Sequence, residues 1–151
     1  MIILIFKEKQ MLLNLSNNSP ENQERIEQAI GKSFDLKTRQ EIGGVDSGLL
    51  VINEANVEII NLLVLNEGLN TCNVEIREDG VLIRFQANME PYALVIPFYK
   101  LKLNKGQAQQ YTFFIDHYFL KLKADRKEIH EFMRRVRKQK YKHWTSQSFR
   151  D

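Results

Sequence analysis

The densest chemistry in this sequence lies near its end. From Arg134 to Lys142 the chain carries six cations, Arg134, Arg135, Arg137, Lys138, Lys140 and Lys142, without one acid, and Tyr141, Trp144 and Phe149 stand among or just after them. Cations interleaved with stackable rings suit three kinds of contact. A nucleic acid offers phosphates for salt-dependent affinity and bases that stack on the rings. An anionic membrane surface takes the rings at headgroup level and favours each nearby cation by about 1 kcal/mol. The third is a solvated helix end that answers the acidic body of its own fold or of a neighbouring subunit, since like-charge runs at termini specify little by themselves. The candidate contact residues are therefore Arg134, Arg135, Arg137, Lys138, Lys140, Lys142 and Trp144.

Other reactive residue types carry weaker patterns. Gly31-Lys32-Ser33 has the end of a phosphate-binding loop, but the glycine required five residues earlier is Ile26 and no strand leads in, so helix termination explains Gly31. Glu78 and Asp79 are adjacent carboxylates on a tight turn, where neighbours point to solvent as the polar tip of a hairpin. His117, His130 and His143 are dispersed, and none pairs with Cys72 or a carboxylate at zinc-ligand spacing. Cys72 reads as a small buried hydrophobe. The expectation is a chain that is not an enzyme and has no cofactor, no metal and no specific small-molecule ligand.

The net charge of +3 conceals a division. Residues 1–98 hold 8 Lys and Arg against 14 Asp and Glu, whereas residues 99–151 hold 14 against 5. An acidic body with a basic end bears on association more than on fold. The expected partner is accordingly a protein or a second copy of the chain, with an anionic membrane surface or a nucleic acid as alternatives. With 151 residues, 43% hydrophobic and 27% charged, the chain has the length and content of one domain with a real core, which excludes disordered and collagen-like classes. A lone cysteine excludes an internal disulfide, and no secretory signal is evident, so a cytoplasmic location is expected. The apolar run Val57 to Leu65, broken by Glu58 and Asn61, falls far short of the roughly 20 residues that a membrane-spanning helix needs.

These residues need elements to position them. The apolar start, Met1 to Phe6, reads as an edge strand or a loosely attached beginning. Ser19-Pro20-Glu21 predicts an N-cap and a helix from Pro20 to about Ile30, with a thin stripe of Ile26 and Ile30 and a cap at Gly31; alone it is marginal and must dock. Gly43 to Gly48 reads as a flexible connector. Thereafter β-branched and aromatic runs alternate with turn signals, as in antiparallel sheets. Val57 to Leu65 reads as a buried strand, although its length leaves a helix open. Val74 and Ile76, then Val81, Ile83 and Phe85, predict a hairpin whose Asp79-Gly80 turn exploits glycine at positive φ. Pro97 marks an edge or a bend, a turn follows at Asn104-Lys105-Gly106, and a second turn lies at Asp116-His117. Asp125, with Glu128 three residues on, predicts the start of a last helix. Ile129, Phe132, Met133 and Val136 then form one apolar face; truncating a fully buried Phe132 costs on the order of 3 to 5 kcal/mol.

Six or seven strands in meander order followed by an amphipathic C-terminal helix resemble the pleckstrin-homology-like barrel. The texture from Val74 onward is similar to small bacterial pleckstrin-homology-like and GRAM-type domains: the Glu78-Asp79-Gly80 hairpin, Leu94-Val-Ile-Pro-Phe98, and the strand pair ending in Phe119-Leu-Lys-Leu-Lys123. The resemblance implies an α+β fold, an antiparallel β-barrel or roll of about six to seven strands capped by that helix, and a binding or membrane-proximal module. Members that bind phosphoinositides place Lys and Arg beside the loop joining the first two strands. Here that loop, Asn66 to Thr71, has an acid and no base. The division expected is an N-terminal extension at 1–48, the barrel with its helix at 49–144, and a tail at 145–151. The expected role is a non-enzymatic interaction or scaffolding module with its basic end as an electrostatic contact; an enzyme using the barrel interior is the remaining alternative.

Overall fold

The computed structural model describes residues 11–17, 19–107 and 109–148. The expectations for Met1 to Phe6 and for Phe149 lie outside these residues. The elements are β1 (Leu12–Asn14), α1 (Pro20–Ile30), α2 (Leu36–Ile42), β2 (Asp46–Ala55), α3 (Val57–Leu63), β3 (Thr71–Ile76), β4 (Gly80–Ala87), β5 (Glu90–Pro97), β6 (Lys102–Gly106), β7 (Gln110–Ile115), β8 (Tyr118–Lys123) and α4 (Lys127–Ser148). The fold is α+β. The eight strands form one antiparallel sheet in the order β1-β5-β4-β3-β2-β8-β7-β6, open at β1 and β6 rather than closed into the expected barrel of six or seven strands. β2 joins the two halves of this sheet. Its first part pairs with β3 from Asp46 to Val51, with a register shift between Asp46 and Leu49, and its second part pairs with β8 from Ile52 to Ala55, with another between Ile52 and Glu54.

The alternation read from Val74 onward becomes rows of paired side chains. Val74 faces Ile83 and then Leu94, and Ile76 faces Val81 and then Ile96, all of them buried. Leu82 and Val95, on the opposite face, are buried as well. α1 packs on β4 and β5 and supplies the cover with Ile26 and Ile30. Its marginal stripe is thus stabilised by docking. Ser19 caps it as expected, its Oγ accepting from the Asn22 N–H at 3.2 Å, and Gly31 ends it at φ +85°. Gly80 departs from expectation, for it is absent from the positive-φ positions. A Cβ there would collide with the Ile96 carbonyl oxygen and with Ile30, so this glycine allows helix and sheet to approach closely.

Several local readings change. Val57–Leu63 is a helix, because Ile59 and Leu63 one turn apart reach the core while Val57 faces solvent. α2 occupies a stretch with no apolar periodicity; Asp35 caps it by accepting from the Thr38 N–H at 2.8 Å, and Gly43 ends it in the left-handed conformation. The expected connector is therefore that cap followed directly by β2. β6 runs through Asn104-Lys105-Gly106, and the chain turns only after Gly106. Pro97 ends β5 at a bend, and the turn at Asp116-His117 stands as expected. α4 starts at Lys127, so Asp125 lies ahead of it and pairs with Lys123 at 3.5 Å instead of capping. Among the described residues, no helix is long and apolar enough to cross a membrane.

Candidate functional site

The first half of α4 is fastened by burial. Ile129, Phe132, Met133 and Val136 are all buried within the core cluster that also holds Phe98 and Phe113. The apolar stripe ends at Val136, yet the helix does not leave the body. Its second half is held by polar groups one turn apart. Arg135 donates Nε–H to the Gly44 carbonyl at 2.9 Å, Arg137 donates to the Leu103 carbonyl at 3.4 Å, and Lys140 donates to the Leu101 carbonyl. His143 Nδ1 lies 3.0 Å from Asp79 Oδ1, and its ring packs against Phe98. Asp79 therefore does more than form a hairpin tip, since its amide also donates to Ile30 O and its carbonyl accepts from Phe98 N.

This geometry divides the six candidate cations. Arg135, Arg137 and Lys140 reach back to backbone carbonyls of the turn after α2, of β6 and of the residue just before it. Arg134, Lys138 and Lys142, spaced by four residues and so on one helical face, are exposed, and their side chains have no hydrogen bond or ion pair among the described residues. Trp144, the seventh candidate, lies beside Tyr141 with ring centroids 6.3 Å apart.

Two grooves flank this half of the helix. One, of about 460 Å³, separates it from α2 and the β3–β4 hairpin and brings Glu41 and Glu78 opposite Lys138 and Lys142. The other, of about 550 Å³, is lined by Phe98, Tyr99, Leu103, Tyr141 and Trp144 together with Arg137 and Lys140. Tyr99 and Leu103 were not legible as site residues. Their alternation reads as sheet face, and more than thirty residues separate them from Arg137, Lys140, Tyr141 and Trp144; the available signal was the absence of acids from 99 to 106.

The remaining reactive groups are spent inside the fold or stand apart. Burial pushes the Cys72 thiol up to about 12, so it stays protonated near neutral pH. His130 Nδ1 lies 2.9 Å from the Tyr111 hydroxyl, and His117 lies 3.4 Å from Glu58 at the surface. No cluster of three or more His, Cys, Asp or Glu suited to a metal occurs among the described residues. At the other end of the sheet, Leu49, Leu65, Leu69 and Met89 are exposed around a groove of about 810 Å³. Asn66 fastens its rim by donating to Gln86 O at 2.7 Å and accepting from the Asn88 N–H at 2.8 Å. No family model, curated protein or solved structure matches this chain.

Proposed function

We propose that this chain is a non-enzymatic binding module of pleckstrin-homology-like type that engages an anionic partner through the second half of α4. Strand order supports the fold part of this reading: β2 to β5 and β6 to β8 form two meanders joined where β2 pairs with β8, and α4 follows them. The functional part rests on one observation. Arg134, Lys138 and Lys142 share an exposed face with no side-chain hydrogen bond or ion pair to the fold among the described residues, although Lys138 and Lys142 line the groove that holds Glu41 and Glu78, while their three neighbours hold the helix in place. The loop at 66–70 lacks a cation, so the contact moves from that loop to the helix.

Retention on heparin tests the reading with a simple polyanion. The variant Arg134→Glu/Lys138→Glu/Lys142→Glu should elute at much lower salt than the wild type. A control with the same change in net charge, Lys32→Glu/Lys37→Glu/Lys121→Glu, should elute close to it. Equal losses in both would attribute retention to net charge alone and overturn the site. A second reading, contact with a protein partner or a second copy, is favoured by Met89, which is 93% exposed at φ +67° beside Leu49, Leu65 and Leu69. Sedimentation velocity across a concentration series checks self-association, which Met89→Asp should abolish.

A further inference from the structure

Two stretches of the chain contain no acid: 99–106, with Lys100, Lys102 and Lys105, and 134–148, with the six cations of α4. The fold sets them side by side, because Arg137 and Lys140 donate to the carbonyls of Leu103 and Leu101. The cleft of about 550 Å³ lies between them. Tyr99 enters it from the turn after β5, and Tyr141 and Trp144 enter it from α4; the three are 75%, 67% and 63% exposed. Rings so exposed contribute little to a core, and here they surround a recess whose other walls are Arg137 and Lys140 together with Phe98, Leu103 and His143.

We propose that this cleft binds single-stranded nucleic acid, with bases stacking on Tyr99, Tyr141 and Trp144 and phosphates meeting Arg137, Lys140 and the outward cations of α4. The proposal rests on the reading that the second half of α4 is the anionic contact, and it names the partner. Stacking needs accessible ring faces and unpaired bases, which a duplex does not offer, and it tolerates any base sequence because every base has a π-face. A membrane surface fits less well. Its interface also accepts Trp and Tyr, but insertion into the acyl boundary draws on Leu and Phe beside Trp, and the exposed Leu49, Leu65, Leu69 and Met89 gather instead around the other groove.

Trp144 is the only tryptophan, so its fluorescence reports on the cleft directly. The full chain is titrated with oligo(dT) and oligo(rU) of about 12 nucleotides, a length within the range that single-strand sites cover, at about 50 mM salt, where phosphate contacts are strong. Saturable quenching is expected, with affinity falling steeply as salt rises. By anisotropy of a labelled oligonucleotide, Trp144→Ala and Tyr99→Ala should each weaken binding about ten-fold, Trp144→Phe should restore most of the affinity, and melting temperatures should stay unchanged. Tighter binding of oligo(rU) or of oligo(dT) assigns the sugar. Retention on heparin without oligonucleotide binding overturns the proposal and leaves the anionic contact standing, whereas loss of both overturns both. Trp144 responding to phosphatidylserine vesicles but to neither oligonucleotide, or Trp144→Ala binding as tightly as the wild type, also overturns it.

Discussion

Beneath the end of α1, Arg77 and Arg84 donate to the Glu75 carboxylate at 3.3 and 3.0 Å, the Ser33 hydroxyl donates to it at 3.1 Å, and Arg77 also reaches Gly31 O at 3.1 Å. Glu75 and Arg77 are buried. Nearby, on the far side of Asp79, which bonds both Ile30 and His143, the second half of α4 presents Arg134, Lys138 and Lys142 to solvent with no partner among the described residues. Both regions are charge clusters, but the physics differs. A buried charge must be paired and hydrogen-bonded or it destabilises the fold, so the Glu75 cluster belongs to the structure. An exposed cation is hydrated and screened, contributes little to stability, and stays available to an outside anion. Lys140 and His143 fall between these cases, tied to the body but at its surface.

Removing Glu75 should give the largest effect. Glu75→Ala leaves Arg77 buried without its counter-charge and should lower unfolding free energy by about 3 to 5 kcal/mol in a denaturant titration. Burial opposes ionisation of Glu75, but the guanidiniums of Arg77 and Arg84 and the Ser33 hydroxyl outweigh it and hold the carboxyl below its ordinary 4.5. A folded-state pKa below the unfolded one means that this stabilisation is full above the ordinary value and fades as pH falls through the lowered one. Glu75→Gln should therefore remove part of the wild-type acid limb, and an unchanged limb would place the acid sensitivity elsewhere.

His143→Ala should cost an intermediate amount, about 0.5 to 1.5 kcal/mol for the lost contact with Asp79, and should speed amide exchange in the last turns of α4 more than at Phe132. The smallest effect belongs to Arg134→Glu/Lys138→Glu/Lys142→Glu, whose stability should stay within about 0.5 kcal/mol of the wild type by thermal unfolding. A loss as large as that of Glu75→Ala would show that the outward cations serve the fold, and would erase the contrast between the two clusters.

Legibility follows the same boundary. The start of α1 was readable from Ser19-Pro20, and the core face of α4 from Ile129, Phe132, Met133 and Val136, because capping and helical periodicity are set by neighbours within a few residues. The β3–β4 hairpin was readable from the alternation of Val74 and Ile76 with Glu75 and Arg77 and from Val81, Ile83 and Phe85 beyond the turn. α3 was not, since Val57 to Leu65 is apolar except at Glu58 and Asn61 and only the position of the core decides which of its residues are buried. Gly80 was assigned the right place for the wrong reason, because its neighbours Ile30 and Ile96 are distant in sequence. Asp79 was read as a solvent tip for the same cause: its partner His143 lies 64 positions away.

By itself, then, the sequence determined that the chain has a sheet-rich core, an amphipathic final helix and a basic end carrying Trp144, because composition and short-range spacing encode local structure and total charge. Tertiary structure alone decided which cations of that end are tied to carbonyls and which face outward. It also brought Tyr99 beside Tyr141 and Trp144 and left the sheet open. The physical reason is that pairing and exposure depend on what the fold places within a few ångströms, and chain spacing does not record that distance.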